Sequence, residues 1–402
     1  VRVAILHNRY AQRGGEDAVV EAEAELLRKA GCEVALLIVE NAPLRRSRAA
    51  RLRAAARARW NPETVERIAL FLAERPADVA HVHNFFPVLS PAAHATLHAL
   101  GVPVVQTLHN YRFACANGAF LRDGRPCEEC VVRGTWRAVR HGCLRGSRLA
   151  SAVWAEATAL HRRRGTWRDC VDRFVAPSEF TRRKLAGAGL PAERIVVKPN
   201  PVADPGPPGP PGRGAVYVGR LSSEKGVALL LDAWRMLPGA PPLAIAGTGP
   251  EDASLRERAR GIPGVRFAGE LPHERVQDLL AGAAFAVAPS LWYEVFPVAV
   301  AEAMASGRAV VASDAGALAE LVEHGASGLL FRSGDAESLA AACRRLLDDA
   351  DLAAAFGREA RARYEEELAP ERSTRRLLDL YAEVVAERRA AKRPGLLGGI
   401  AI

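Results

Sequence analysis

No run of apolar residues in this chain approaches the roughly 20 that a bilayer-spanning helix needs, although 49% of its 402 residues are apolar. That argues against a transmembrane span. The opening stretch "VRVAILHN" is eight residues long, and no small-residue cleavage site follows. It is therefore expected to be a first strand rather than a signal peptide, and the protein to be cytoplasmic. The dinucleotide fingerprint G-x-G-x-x-G is missing, which removes the most specific glycine signature for a bound cofactor. No residue stands out as an enzymic nucleophile. Lysine is scarce, five of the 55 basic residues, and acid is absent from residues 43–60, "PLRRSRAARLRAAARARW", where seven arginines give +7. Residues 131–168 add nine arginines against one glutamate, +8. With a total of +9, the rest of the chain carries about −6 by subtraction. A field polarised this way fits an acidic partner such as phospholipid headgroups, a polyanionic acceptor or nucleic acid; it fits a solvated arginine-rich surface equally well.

What is present is a repeated alternation. Short β-branched runs, "VRVAIL", "EVALLIVE", "DVAHVH", "PVVQTLH", "RFVAPS" and "RIVVKPN", are separated by amphipathic stretches. The pattern recurs in "AVYVG", "PLAIAG", "VRFAG", "AFAVAPS", "AVVASD" and "GLLF". This predicts an α/β fold of two doubly wound Rossmann-like domains with parallel sheets facing a cleft. Between them "PVADPGPPGPPGR", residues 201–213, has six prolines and three glycines and reads as a semi-rigid linker. The expected organisation is a first domain over 1–200, the linker 201–213, a second domain over 214–370, and a helix and tail over 371–402 that can return to the first domain. Ligands of such folds bind beyond the carboxyl ends of strands, so chemistry is sought in the loops there.

After the first strand, Gly14 and Gly15 precede an amphipathic helix, a place where backbone N–H groups can meet an anion or sugar, or a plain tight turn. After "AVYV" comes "GRLSSEKG", residues 219–226, whose Arg220 and Lys225 beside a helix N-terminus suit a diphosphate. "AIAGTGPE" follows a strand with Gly247 and Gly249, readable as close approach to a ligand or as a strand-to-helix turn. In "PSLWYEVFPVAVAEAMASG", Glu294 precedes Pro297, which can open a helix, and Glu302 falls among apolar residues inside it. Eight helical residues span about 12 Å, so the two carboxylates can serve different rings of one ligand. A carboxylate embedded in apolar surroundings needs a partner.

These segments, together with "VAPSEFTRRKL", resemble the retaining, GT-B-fold family 4 glycosyltransferases over most of the chain, most specifically in the second half. The resemblance implies transfer of a sugar from a nucleotide-diphospho-sugar, UDP- or GDP-linked, to an acceptor hydroxyl with retention of anomeric configuration. It also implies no essential catalytic metal, and a front-face mechanism in which the leaving phosphate assists deprotonation of the acceptor. By motif match, Arg220 and Lys225 hold the diphosphate, Glu294 the donor-sugar hydroxyls and Glu302 the ribose. The Phe296–Pro297 pair and Gly247 and Gly249 complete the donor site. His109 in "TLHN" lies near the reaction centre, and Gly15 lies beside the donor phosphate or the acceptor. The acceptor, a carbohydrate, lipid-linked or small molecule, is sought in the first domain near Gly14; the strand end "DVAHVHNFFPVLSP" offers His83 and Asn84 as its lining, with Phe85 and Phe86 to stack on an apolar face, although histidines at a strand end are readable as structural.

Within residues 113–148, Cys115, Cys127, Cys130 and Cys143 are spaced C-x11-C-x2-C-x12-C, which in a reducing compartment predicts a structural zinc in a ribbon-like insertion. Four ordinary cysteines or a redox pair are the alternatives. The basic run 43–60, with Leu44, Leu52 and Trp60 interspersed, can lie on an anionic membrane at its inner face. Competing functions are an epimerase or glycoside phosphorylase of similar fold, and a zinc-ribbon nucleic-acid-binding protein. The last leaves the Glu294/Glu302 element without a purpose, so nucleic acid is not the expected partner.

Overall fold

The computed structural model describes residues 1–9, 14–41 and 47–392. Leu44 and its neighbours in the basic run, the residues just before Gly14, and the tail 393–402 lie outside the described residues. Two six-stranded, wholly parallel sheets form the frame, as the α/β alternation predicts. The first comprises β1 (Arg2–Arg9), β2 (Glu33–Glu40), β3 (Val79–Asn84) and β4 (Val104–Thr107). After a two-stranded hairpin of β5 (Leu121–Arg122) and β6 (Arg125–Pro126) it is completed by β7 (Arg173–Ala176) and β8 (Ile195–Val197), in the order β2-β1-β3-β4-β7-β8. The second is built from β9 (Ala215–Val218), β10 (Leu243–Ala246), β11 (Val265–Gly269), β12 (Phe285–Ala288), β13 (Ala309–Ser313) and β14 (Gly328–Phe331), ordered β11-β10-β9-β12-β13-β14.

Helices cover both faces of each sheet, so central strands are apolar or buried at every position rather than at alternate ones: all of β3, β4 and β13 is buried. In the second sheet the winding reverses between β9 and β12, opening a crevice beyond their carboxyl ends. The loops carrying "GRLSSEKG" and Glu294 leave these two strands. In the first sheet the reversal lies between β1 and β3, whose loops carry the paired glycines and the Asn84 turn.

The chain crosses between the halves twice. Outward, the Pro/Gly stretch is tacked along the second half by Gly212 N–H to the Ala283 carbonyl (3.1 Å) and Arg308 to the Gly209 carbonyl (2.9 Å). It returns through a wide turn at Tyr364–Leu368 into the helix Pro370–Lys392. The two passages are stitched together: Tyr364 donates to the Val202 carbonyl (2.9 Å) and Arg361 pairs with Asp204 (2.8 Å). The final helix then packs on the first sheet through Leu377, Leu380, Tyr381 and Val384, in one apolar cluster with Val3, Ile5, Val79 and Val105.

Candidate active site

At Gly226 the backbone has φ +70, and a Cβ there would fall 2.0 Å from the Pro289 carbonyl oxygen. Only glycine lets the start of helix Val227–Arg235 press this closely onto the loop after β12. That contact brings Lys225 to Glu294: Nζ stands 2.7 Å from Oε1, which also accepts from Ser290 Oγ at 2.6 Å. The Glu294 side chain is 6% exposed and that of Lys225 26%. Trp292 lies under the ammonium, 5.5 Å from ring centre to Nζ. Arg220, by contrast, is 57% exposed and held by Glu224, with Ser222 3.2 Å from its Nε. The sequence places Arg220 and Lys225 as two cations suited to a diphosphate; in the structure each is already paired with a carboxylate.

Gly247 and Gly249 have a packing reason of their own. A Cβ at 247 would lie 1.9 Å from the Gly219 carbonyl oxygen, and one at 249 would lie 2.2 Å from that of Leu221. The loops after β9 and β10 are thus pressed backbone to backbone, and the glycines shape the floor of the crevice. Pro297 precedes helix Val298–Ala305 directly after Phe296, and Glu302 lies in that helix. Burial pushes the Glu302 carboxyl up to about 7. His273, at the start of helix His273–Ala281, stands 3.5 Å from it.

From the other half, the loop after β4 reaches the same place. The Tyr111 hydroxyl lies 3.5 Å from the Glu294 carbonyl oxygen, and Asn110 donates to Glu16 at 2.8 Å. His109 is thereby held between the Glu294 segment and the start of helix Gly15–Lys29. Gly14 caps that helix, with its N–H donating to Asp17 (2.9 Å), and no atom lies within 4 Å of a Cβ built at Gly14 or Gly15. Ser178 Oγ accepts from Thr181 N–H as a helix cap and donates to the Val295 carbonyl at 2.9 Å, while Glu320 pairs with Arg183 at 2.8 Å. These bonds hold the walls of the cleft together.

Two expected acceptor residues are turned inward. Asn84 donates to the Asn8 carbonyl (2.7 Å) and accepts from Phe86 N–H (3.1 Å). His83 is fully buried behind His109, with its Nδ1 2.8 Å from His109 Nε2. Neither side chain is free to touch an acceptor. Phe85 likewise packs against His94, Phe113 and Trp167, and Phe86 lies beneath Arg112. Several neighbours escaped the sequence reading: Ser290, Trp292, and a buried set formed by His7, Asp17, Glu23 and Lys198. Lysine scarcity was the available signal, since Lys198 and Lys225 both hold a buried carboxylate.

The zinc expectation finds no support in the geometry. Cys130 and Cys143 share a small apolar cluster with Trp154, and Cys115 donates its thiol to Asn117 at 2.9 Å. A tetrathiolate needs four converging sulfurs at about 2.3 Å from one ion. Among the described residues, however, the group of three or more potential ligands within 4.8 Å of one another is Glu23, His81 and His83, not the cysteines. Burial, reinforced by the neighbouring Cys115, Cys143 and Cys127 thiols, pushes the Cys130 thiol up to about 12.

Comparison with known proteins agrees with the architecture. Residues 13–204 match the family described as Glycosyltransferase Family 4, and residues 212–349 match Glycosyl transferases group 1. The alpha-maltose-1-phosphate synthase of Mycolicibacterium smegmatis is 30% identical over 344 residues, 77% of this chain and 80% of that one. The phosphatidyl-myo-inositol mannosyltransferase of the same organism is 29% identical over 309 residues, 75% and 70% of the two chains. Among solved structures, Anabaena HepE in complex with UDP superimposes with TM-score 0.68 at 16% identity, covering 95% of this chain and 100% of that one. Sucrose-phosphate synthase from Thermosynechococcus elongatus does so with TM-score 0.68 at 19% identity, covering 96% and 99%.

Proposed function

This chain belongs to the family 4 glycosyltransferases, and from that membership we propose that it moves a sugar from a nucleotide-diphospho-sugar to an acceptor hydroxyl with retention of configuration. The observation that carries the reading is the Lys225–Glu294 pair, held with Ser290 beyond the carboxyl ends of β9 and β12. Solved relatives of the same fold hold UDP or UDP-glucose, which supports a sugar nucleotide as donor. Lys225 and Arg220 face the diphosphate and stabilise the negative charge that grows on it as the bond from C1 to the phosphate oxygen breaks. The acceptor oxygen bonds C1 on the same face, and its proton passes to the departing phosphate. Glu294 accepts from donor-sugar hydroxyls, and Phe296 and Pro297 shape the wall beside them. Gly247 and Gly249 keep the floor low, Gly15 leaves room beside the phosphates, and His109 stands at the reacting carbon.

The test is turnover of UDP- and GDP-sugars with and without added acceptor, with proton NMR of the product anomeric signal. Retention supports the reading. An inverted product, turnover that needs inorganic phosphate, or epimerisation without acceptor would sink it.

Glu302 is the ribose contact in this scheme. Its folded value lies above the ordinary 4.5, so its share of apo stability is greatest below about 4.5 and is lost as pH rises through about 7. Ribose hydroxyls donate to the ionised form, so nucleotide binding strengthens as pH rises and displaces a proton. Affinity for UDP is expected to rise about tenfold from pH 6 to 8. Titration calorimetry should find it flat in Glu302→Gln, with His273→Ala separating the imidazole's share.

The first half also carries a face suited to anionic lipid. Helix Arg48–Arg57 packs near helix Arg148–Arg163, and Arg59 pairs with Glu156 at 2.8 Å, so the two arginine-rich segments share one side. Leu52, Val132, Trp136 and Leu149 are each more than half exposed. No helix among the described residues is long and apolar enough to cross a membrane, so contact would be peripheral, on the inner face. Cosedimentation with anionic vesicles that vanishes with zwitterionic ones would support this; binding to neither, or equal binding to both, would remove it.

A further inference from the structure

The first half buries a polar cluster that the transfer scheme leaves unused. Lys198, just after β8, places Nζ 2.6 Å from Glu23 Oε1 and 3.0 Å from Ser373 Oγ on the final helix. His81 has both ring nitrogens engaged, Nδ1 with the Tyr381 hydroxyl (2.6 Å) and Nε2 with Thr107 Oγ1 (2.7 Å). Two atoms remain. Glu23 Oε2 and His83 Nε2 face each other at 3.5 Å, and neither has another partner among the described residues. The Glu23, His81 and His83 donors are close enough for a metal ion. Yet the carboxylate is already neutralised by Lys198 and His81 has no free nitrogen, so an added cation would meet an ammonium.

We propose that Glu23, acting through His83, fixes the tautomer of His109 so that Nδ1 presents a bare lone pair to the cleft. Paired with Lys198, Glu23 is a carboxylate and only accepts. A lone pair on His83 Nε2 would set two acceptors against each other in a dry interior, so Nε2 carries the proton. Burial first, then the neighbouring imidazoles, hold His83 well below the ordinary histidine value, so the ring is neutral and its Nδ1 is bare. That Nδ1 lies 2.8 Å from His109 Nε2, which must therefore donate. His109 is partly exposed, and its Nδ1 meets no partner among the described residues. A neutral imidazole with Nε2 protonated offers Nδ1 as an acceptor to a substrate hydroxyl. Glu23 and His83 are positioning residues, and the catalytic consequence rests on the transferase reading.

Glu23→Gln should reverse the chain. Lys198 claims the amide oxygen, the NH2 group then faces His83 Nε2, and the His83 proton shifts to Nδ1. His109 Nε2 becomes the acceptor and Nδ1 the proton carrier. In 15N-histidine-labelled protein at pH 7.5 without substrate, with the His109 signals assigned by loss in His109→Gln, two-bond nitrogen–proton spectra should show Nε2–H in the wild type and Nδ1–H in Glu23→Gln. One tautomer in both proteins, or Nδ1–H in the wild type, overturns the proposal; the wild-type spectrum decides alone if the variant fails to fold. With a sugar nucleotide that the wild type turns over, kcat should fall about tenfold or more in Glu23→Gln while donor KM stays within about twofold. Failure of all turnover would count against the transferase reading and leave the tautomer result standing.

Discussion

Lys225→Ala is expected to weaken UDP binding by about 10–100-fold and to lower stability by about 2 kcal/mol. Two separate losses are involved. The bound diphosphate loses a cation close to its oxygens, and Glu294, buried to 6% exposure, keeps its charge with only the Ser290 hydroxyl donating. The stability figure sits below the range for fully buried pairs because Lys225 is itself 26% exposed, so water reaches it. The losses separate in the double variant Lys225→Ala/Glu294→Gln. The neutral amide no longer strands a charge, so stability should recover while binding stays weak. Thermal melts with and without UDP read both, since ligand at 100 times its Kd adds about 2.7 kcal/mol. Wild-type stabilisation by UDP in the single variant would remove Lys225 from the phosphate site.

The second large effect is expected far from the donor crevice. Lys198→Met should cost about 3–5 kcal/mol, and its melting temperature should drop by roughly 10 °C. Both side chains of the pair are 3% exposed or less. Removing the ammonium leaves Glu23 charged among three imidazoles that burial keeps neutral. Lys198→Met/Glu23→Gln should regain most of the loss, because two neutral groups need far less solvation than one stranded ion. Calorimetry of the single and double variants gives the comparison. An unchanged melt for Lys198→Met would mean that the ammonium is not what holds Glu23, and the tautomer argument for His109 would lose its first step.

The second sheet was legible because its strands are short, apolar and bounded by glycine or proline, and because "GRLSSEKG" and the Glu294/Glu302 element are local in sequence. Glu302 was singled out for the right physical reason, a carboxylate inside an apolar helix, and its raised value follows from that burial. The first half was harder. His83 and Asn84 read as cleft residues because they end a strand, yet backbone partners from β1 and a second histidine hold them inside. Glu23 is one of several acids on an amphipathic helix, and nothing local marks it as the buried one. Its partners are His83 and Lys198, and Lys198 in turn is held by Ser373, residues brought together only by the sheet order and the returning helix. The cysteine spacing was legible as a pattern but not as a geometry, since spacing does not fix where the thiols point.

The stitched double crossing has a consequence for proteolysis. A protease that cuts within residues 205–211 makes fragments that meet on a denaturing gel as two bands. In native buffer they should elute together. The carboxyl-terminal fragment carries the helix Pro370–Lys392, whose Leu377, Leu380, Tyr381 and Val384 are buried in the amino-terminal fragment, with Arg173 bridging Glu383 and Glu387 at 2.6 Å each. The nicked molecule remains one particle, because the helix Pro370–Lys392 acts as a tether on the first half.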